Sequence, residues 1–148
     1  MIDQELLPLA ILKADDEGGV DGRTHMQKLV FLMQEESDDA ASRLPDIYTY
    51  VPYDYGPFAR ELYDDLDRLK AKEVIEEGPI EMADSTIEYD YRLGEDADEY
   101  LRDIPDQKLE RTLEIARRIK SGFNDEELPS LINYVYNEYP EYAENSVL

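Results

Sequence analysis

Apolar residues recur along this chain at a helical spacing, give way to strict alternation in the middle, and return to helical spacing towards the end. From Gln4 to Ala14 the run Leu6, Leu7, Leu9, Ala10, Ile11, Leu12 covers most sides of a predicted first helix, which marks that helix as buried. Residues 15–22, with Gly18, Gly19, Asp21 and Gly22, predict a turn-rich connection. A second helix is predicted from Thr24, where Gln27 completes a Ser/Thr-x-x-Glu/Gln capping pattern. Its core face is Met26, Leu29, Val30 and Met33, widened by Phe31 and Leu32.

A polar break over 35–39 leads through Leu44-Pro45 to an aromatic stretch, residues 47–57, whose two prolines predict an edge strand or an extended loop. Pro57 fits the first turn of a third helix, with Phe58, Leu62, Leu66 and Leu69 inward and residues 70–73 closing it. Val74-Ile75 predicts a short strand, residues 76–85 with Gly78-Pro79 a hairpin connection, and Thr86 to Leu93 a second strand with Ile87, Tyr89 and Tyr91 on one face. Three helices followed by a two-stranded wing is the order of a winged helix-turn-helix. Further helices are predicted over 95–102, over 106–122 with Gly122 as carboxy-terminal cap, and over 125–139 ended by Pro140. The expected fold is mainly α with a small β-hairpin: a winged-helix-like core over 1–94 and a helical extension over 95–148, within a single domain.

Charge changes this picture more than length does. The 148 residues fit one domain of ordinary size, but 37 acidic residues against 15 basic ones leave a net charge of −22. The acids are spread over every segment instead of forming a disordered tail, and dispersed acidity is what a halophilic cytoplasm favours, where salt screens self-repulsion. The functional rival is a DNA mimic with its charge gathered on one face. The absence of cysteine excludes disulfides and thiolate metal sites. Neither a basic leader before an apolar run nor a stretch of roughly 18 apolar residues is present, so the expected location is the cytoplasm, away from membranes.

Three stretches together resemble the YwgA-like proteins, a group related to Panacea or SocA-type antitoxin domains. They are Met26-Gln27-Lys28-Leu29-Val30-Phe31-Leu32, then Tyr53 to Leu69 with its Tyr-Gly-Pro turn into a helix, then Tyr134-Val135-Tyr136 with Tyr139-Pro140-Glu141-Tyr142. The resemblance implies a compact helical fold of winged-helix character, found in regulators, antitoxin-like modules and phage-associated proteins, with no agreed catalytic residues. About twenty residues separate the second and third helices, a departure from the short helix-turn-helix.

If the third helix reads DNA, its start faces the groove. Arg60 and Tyr63 are then the base-side candidates, with Arg68, Lys70 and Lys72 as phosphate contacts. Arg23, His25 and Lys28 form the least acidic cluster, either a solvated helix terminus or an anion site. Lys108, Arg111, Arg117, Arg118 and Lys120 are interleaved with Glu110 and Glu114, which reads as intrahelical pairing. Tyr48, Tyr50, Tyr53 and Tyr55 alternate, so one set can pack inward while another offers a recognition surface to a protein partner.

With His25 as the only histidine and adjacent Asp64 and Asp65 diverging on a helix, neither a catalytic triad nor a metal site is expected, and no cofactor or enzymatic activity. Two functions follow. One is a DNA-binding transcriptional regulator. The other is an interaction module, antitoxin-like or an adaptor, whose partner is a protein such as a toxin; a homodimer is compatible with either.

Overall fold

In the computed structural model, which describes residues 3–14, 19–36, 47–54, 56–81, 83–123 and 127–144, the amino-terminal apolar run forms α1 (Leu6–Lys13), entered through a 3-10 turn at Asp3–Glu5. Leu6 to Leu12 are all buried. Gly18, Leu44, Pro45, Tyr55 and Asp125, which figure in the expectations above, lie outside the described residues.

The second helix, α2 (Arg23–Glu35), starts at Gly22, whose φ of 94° turns the chain and whose carbonyl accepts from the Met26 amide at 3.1 Å. The Thr24–Gln27 capping pair is not formed. No side chain caps α2, because Gln27 is buried and its amide bonds to Ala59 across the fold.

The predicted turn before α2 contains a strand that alternation is too short to reveal, β1 (Val20–Asp21). Two further strands follow α3, which spans Arg60–Ala71: β4 (Ile75–Glu81) and β5 (Ile87–Leu93). β5 lies between β1 and β4, antiparallel to both, with Val20 opposite Tyr91. With the separate two-stranded ribbon between α2 and α3 set aside, helix, strand, helix, helix, strand, strand, with the first strand beside the last, is a winged-helix arrangement. The expected connection over 76–85 is corrected, since β4 continues to Glu81 with Gly78 opposite Asp90 and Pro79 opposite Tyr89. β4 is an edge strand, where a residue without an N–H is tolerated.

The start of the third helix is also corrected. Pro57 and Phe58 belong to β3 (Gly56–Phe58), paired with β2 (Val51–Tyr53) so that Pro52 faces Pro57. Phe58 stacks on Tyr53 with ring centroids 4.8 Å apart, and Ala59 is held extended (φ −122°, ψ 111°), which delays α3 to Arg60. Leu62, Leu66 and Leu69 do point into the core.

The carboxy-terminal third forms α4 (Ala97–Leu101), α5 (Asp106–Phe123), α6 (Leu128–Glu138) and a final 3-10 turn, Pro140–Ala143. Gly122 lies inside α5 and does not cap it. α5 packs against α1 and α2, and α6 against α2. Leu113, Ala116, Ile119, Leu131 and Val135 accordingly share one apolar cluster with the winged-helix part. Among the described residues no helix is long and apolar enough to cross a membrane.

Candidate functional site: an aromatic face laced to one helix

The segment between α2 and α3 is strapped along α2 by polar side chains. Gln27 donates from Nε2 to the Ala59 carbonyl at 3.0 Å and accepts the Ala59 amide on Oε1 at 3.1 Å. Two turns later Gln34 repeats the clasp on Tyr48, donating at 3.0 Å and accepting at 2.9 Å. Between them Tyr50 Oη donates to the Gln27 carbonyl at 3.2 Å, and Lys28 Nζ donates to the Pro57 carbonyl at 3.2 Å. A side-chain amide donates from its nitrogen and accepts on its oxygen, so each glutamine satisfies both backbone groups of a residue that no strand pairs.

Three stretches distant in the sequence, 26–32, 53–69 and 134–142, meet at this strap. Phe31 of α2 makes edge-on contacts with Tyr50, Tyr139 and Tyr142, with centroids 5.0 to 5.2 Å apart. Glu36 accepts hydrogen bonds from Tyr134 at 3.0 Å and Tyr139 at 2.9 Å. Gly56, at φ 104°, lies where a Cβ would stand 3.2 Å from the Tyr136 ring and 3.4 Å from Lys28 Cε. Glycine is required there both by the backbone angle and by the close approach.

The cations of the expected DNA face are engaged by carboxylates. Arg23 pairs with Asp67 and Glu77, Lys70 with Glu77 at 3.2 Å, and Arg68 with Glu5 and Asp65. Glu5 is fully buried and also accepts from Tyr100 at 2.5 Å, while Asp65 accepts from Tyr48 at 2.6 Å. Arg68 is therefore the counter-ion of a buried two-carboxylate network joining the 3-10 turn at residues 3–5 to α3 and α4. Lys28 is buried, and Lys72 lies over the Tyr100 ring. Arg60 is exposed at the start of α3, beside exposed Glu61 and Asp64. In the second basic island, Lys120 is buried and donates to the Ile11 carbonyl at 2.8 Å.

The tyrosines divide as alternation suggests. Tyr48 and Tyr50 pack inward, and burial, with the Asp65 hydrogen bond at Tyr48, raises their pKa values. Tyr53 is 51% exposed. It opens a row of ring contacts that crosses the molecule: Tyr53 on Phe58, Phe58 against Tyr63 at 5.1 Å, Tyr63 under the Arg23 guanidinium at 5.2 Å, and Arg23 over Tyr91 at 5.9 Å. Two residues along β5, on the same face as Tyr91, stand Tyr89 (48% exposed) and Ile87 (60% exposed). The β2–β3 ribbon, α3 and the wing thus share one aromatic band with exposed ends. Under its ribbon end is a cavity of about 330 Å³ lined by Thr24, Gln27, Lys28, Asp54, Pro57 and Tyr63, among others.

Sequence reasoning did not find the roles of Gln27, Gln34, Glu5 or Asp65. A signal existed for the first two: glutamines seven residues apart on the buried stripe of a helix need polar partners. Among the described residues no group of three or more His, Asp or Glu is placed to hold a metal ion. No protein-family profile matches the chain, and no curated protein matches its sequence.

Proposed function

We propose that this chain is a non-catalytic, winged-helix regulatory module of a salt-rich cytoplasm that works by docking a protein partner on its aromatic band, in preference to gripping DNA. The observation that carries the reading is the neutralisation of the DNA face. Arg23, Arg68 and Lys70 each have a carboxylate within ion-pair distance, while three acids of α3, Glu61, Asp64 and Asp67, are exposed. Phosphate attraction supplies most non-specific DNA affinity, and this face offers Arg60 with few uncommitted companions.

Tyrosine and arginine, by contrast, are the side chains that dominate protein interfaces. Their acidic surroundings favour a partner segment rich in Arg or Lys, whose cations can lie on the exposed rings and pair with the rim carboxylates. The likeness to antitoxin-like modules points the same way.

Photo-crosslinking residues placed at Tyr53 and at Tyr89 in the native host test this. Both ends of the band are expected to capture the same protein, and a control at Arg117 on α5 is not. Adducts to DNA from Tyr53 and Tyr89 would replace this reading with the transcriptional one.

A further inference from the structure

Lys28 is out of keeping with the chemistry around it. Its side chain is 2% exposed, its ammonium has three N–H donors, and Pro57 O accepts one of them. In a chain with 37 acidic residues, Lys28 forms no ion pair among the described residues. A buried charge without a counter-ion is costly, and burial accordingly lowers the Lys28 pKa to about 8. Other cations of this chain show how easily a carboxylate could have been supplied: Arg23, Arg68 and Lys70 all have one.

The shape beside Lys28 explains what the ammonium is kept for. It lines the open-mouthed cavity of about 330 Å³ between α2, the β2–β3 ribbon and α3, with Tyr53, Pro57, Phe58 and Tyr63 as its apolar walls. That volume lies at the small end of the roughly 300–1,000 Å³ of ligand sites. Asp54 also lines the cavity, and its charge disfavours a compact dianion while leaving room for a single negative charge held on Lys28. Aromatic walls ended by one unpaired ammonium complement a flat apolar body that carries one carboxylate.

We propose that this cavity binds a small aromatic monocarboxylate, its carboxylate on Lys28 Nζ and its ring among Tyr53, Phe58 and Tyr63. The site stands apart from the docking reading, because it rests on the buried ammonium and the cavity beside it and not on any partner. It does touch the same row of rings, so a bound carboxylate would fix the ribbon end of the aromatic band.

The test is calorimetric titration of the full chain with benzoate at molar potassium chloride, compared with neutral benzamide and with inorganic phosphate. Saturable benzoate binding is expected, with benzamide and phosphate at least about ten-fold weaker, a factor that corresponds to one charge-assisted contact. Lys28→Met is expected to abolish benzoate binding while the chain stays folded, loss of the Pro57 contact being offset by removal of a buried charge. Wild-type protein that does not bind benzoate, or binds benzamide equally well, overturns the proposal without reference to any variant. Folded Lys28→Met that still binds benzoate as tightly as wild type also overturns it.

Discussion

The side chain of Gln27 and the backbone of Ala59 hold each other by two hydrogen bonds, 3.0 and 3.1 Å long, and through them α2 decides where α3 begins. Ala59 is the extended residue just before α3, and it is buried. Gln27→Leu leaves the buried Ala59 amide without its acceptor and the Ala59 carbonyl with the Leu62 amide alone, which costs about 1–3 kcal/mol. Gln27→Glu retains an acceptor for the Ala59 amide but loses the donor and buries a charge, so it should be no less destabilising. Urea unfolding of the two variants checks both expectations.

Arg68 is expected to matter more to stability than to binding. Without it, Glu5 and Asp65 remain buried with no counter-ion. The Arg68 guanidinium is itself partly exposed, so solvent screens part of the loss and Arg68→Met should cost about 1–3 kcal/mol. Combining it with Glu5→Gln should recover part of the loss, and a double-mutant cycle measures that coupling.

Stability should also fall with acid through His25. The residue is buried, its Nε2 has no hydrogen-bond partner among the described residues, and burial lowers its pKa below 6.5 against the raising effects of a backbone hydrogen bond with Phe123 and of the Asp21 charge. In the unfolded chain His25 takes up a proton near pH 6.5 that the folded chain refuses until lower pH, so its contribution is fully present above about 6.5 and is lost as the pH falls. From pH 8 down to 5 the melting temperature of wild type should fall relative to that of His25→Leu.

Close packing at Gly94 gives a backbone prediction. A Cβ there would lie 2.3 Å from the Glu73 carbonyl oxygen, at the turn joining α3 to β4. Gly94→Ala must push β5 away from that turn, and a loss of about 1–3 kcal/mol is expected from the overpacking. The same substitution at Gly122, where a Cβ meets nothing within 4 Å, should instead be neutral or stabilising, as Ala replaces Gly inside a helix.

The elements set by long apolar periodicity were legible in the sequence; those set by partners distant in the chain were not. Leu62, Leu66 and Leu69 announce α3, and Ile87, Tyr89 and Tyr91 announce β5, because each pattern repeats several times within one element. β1 has two residues and exists because β5 lies beside it. Gln27 read as a cap because the local pattern fitted one, while its actual partner lies 32 residues away. Pro57 read as a helix start for the same reason, although pairing with β2 keeps it in a strand. At the candidate site, Tyr53 stood among the alternating tyrosines, Tyr63 as a base-side candidate on α3 and Arg23 as a cation of the least acidic cluster. That Arg23 would bridge the Tyr63 and Tyr91 rings depends on the wing folding back beside α2, which no local pattern encodes.

Dilution of salt is expected to destabilise the whole chain, since a charge of −22 repels itself once screening is removed. A melting temperature that rises steadily from low to molar potassium chloride is the expected outcome; one independent of salt would contradict adaptation to a saline cytoplasm.

The most direct test of protein docking on the aromatic band is the yield of the Tyr89 photo-crosslink in the native host when the middle of the band is altered. Tyr63→Ala should lower that yield about ten-fold, as loss of an interface aromatic does, while Arg60→Ala and Lys70→Ala leave it within about two-fold, as expected for rim charges. A yield untouched by Tyr63→Ala, or nucleic-acid adducts that vanish with Arg60→Ala, would contradict the account.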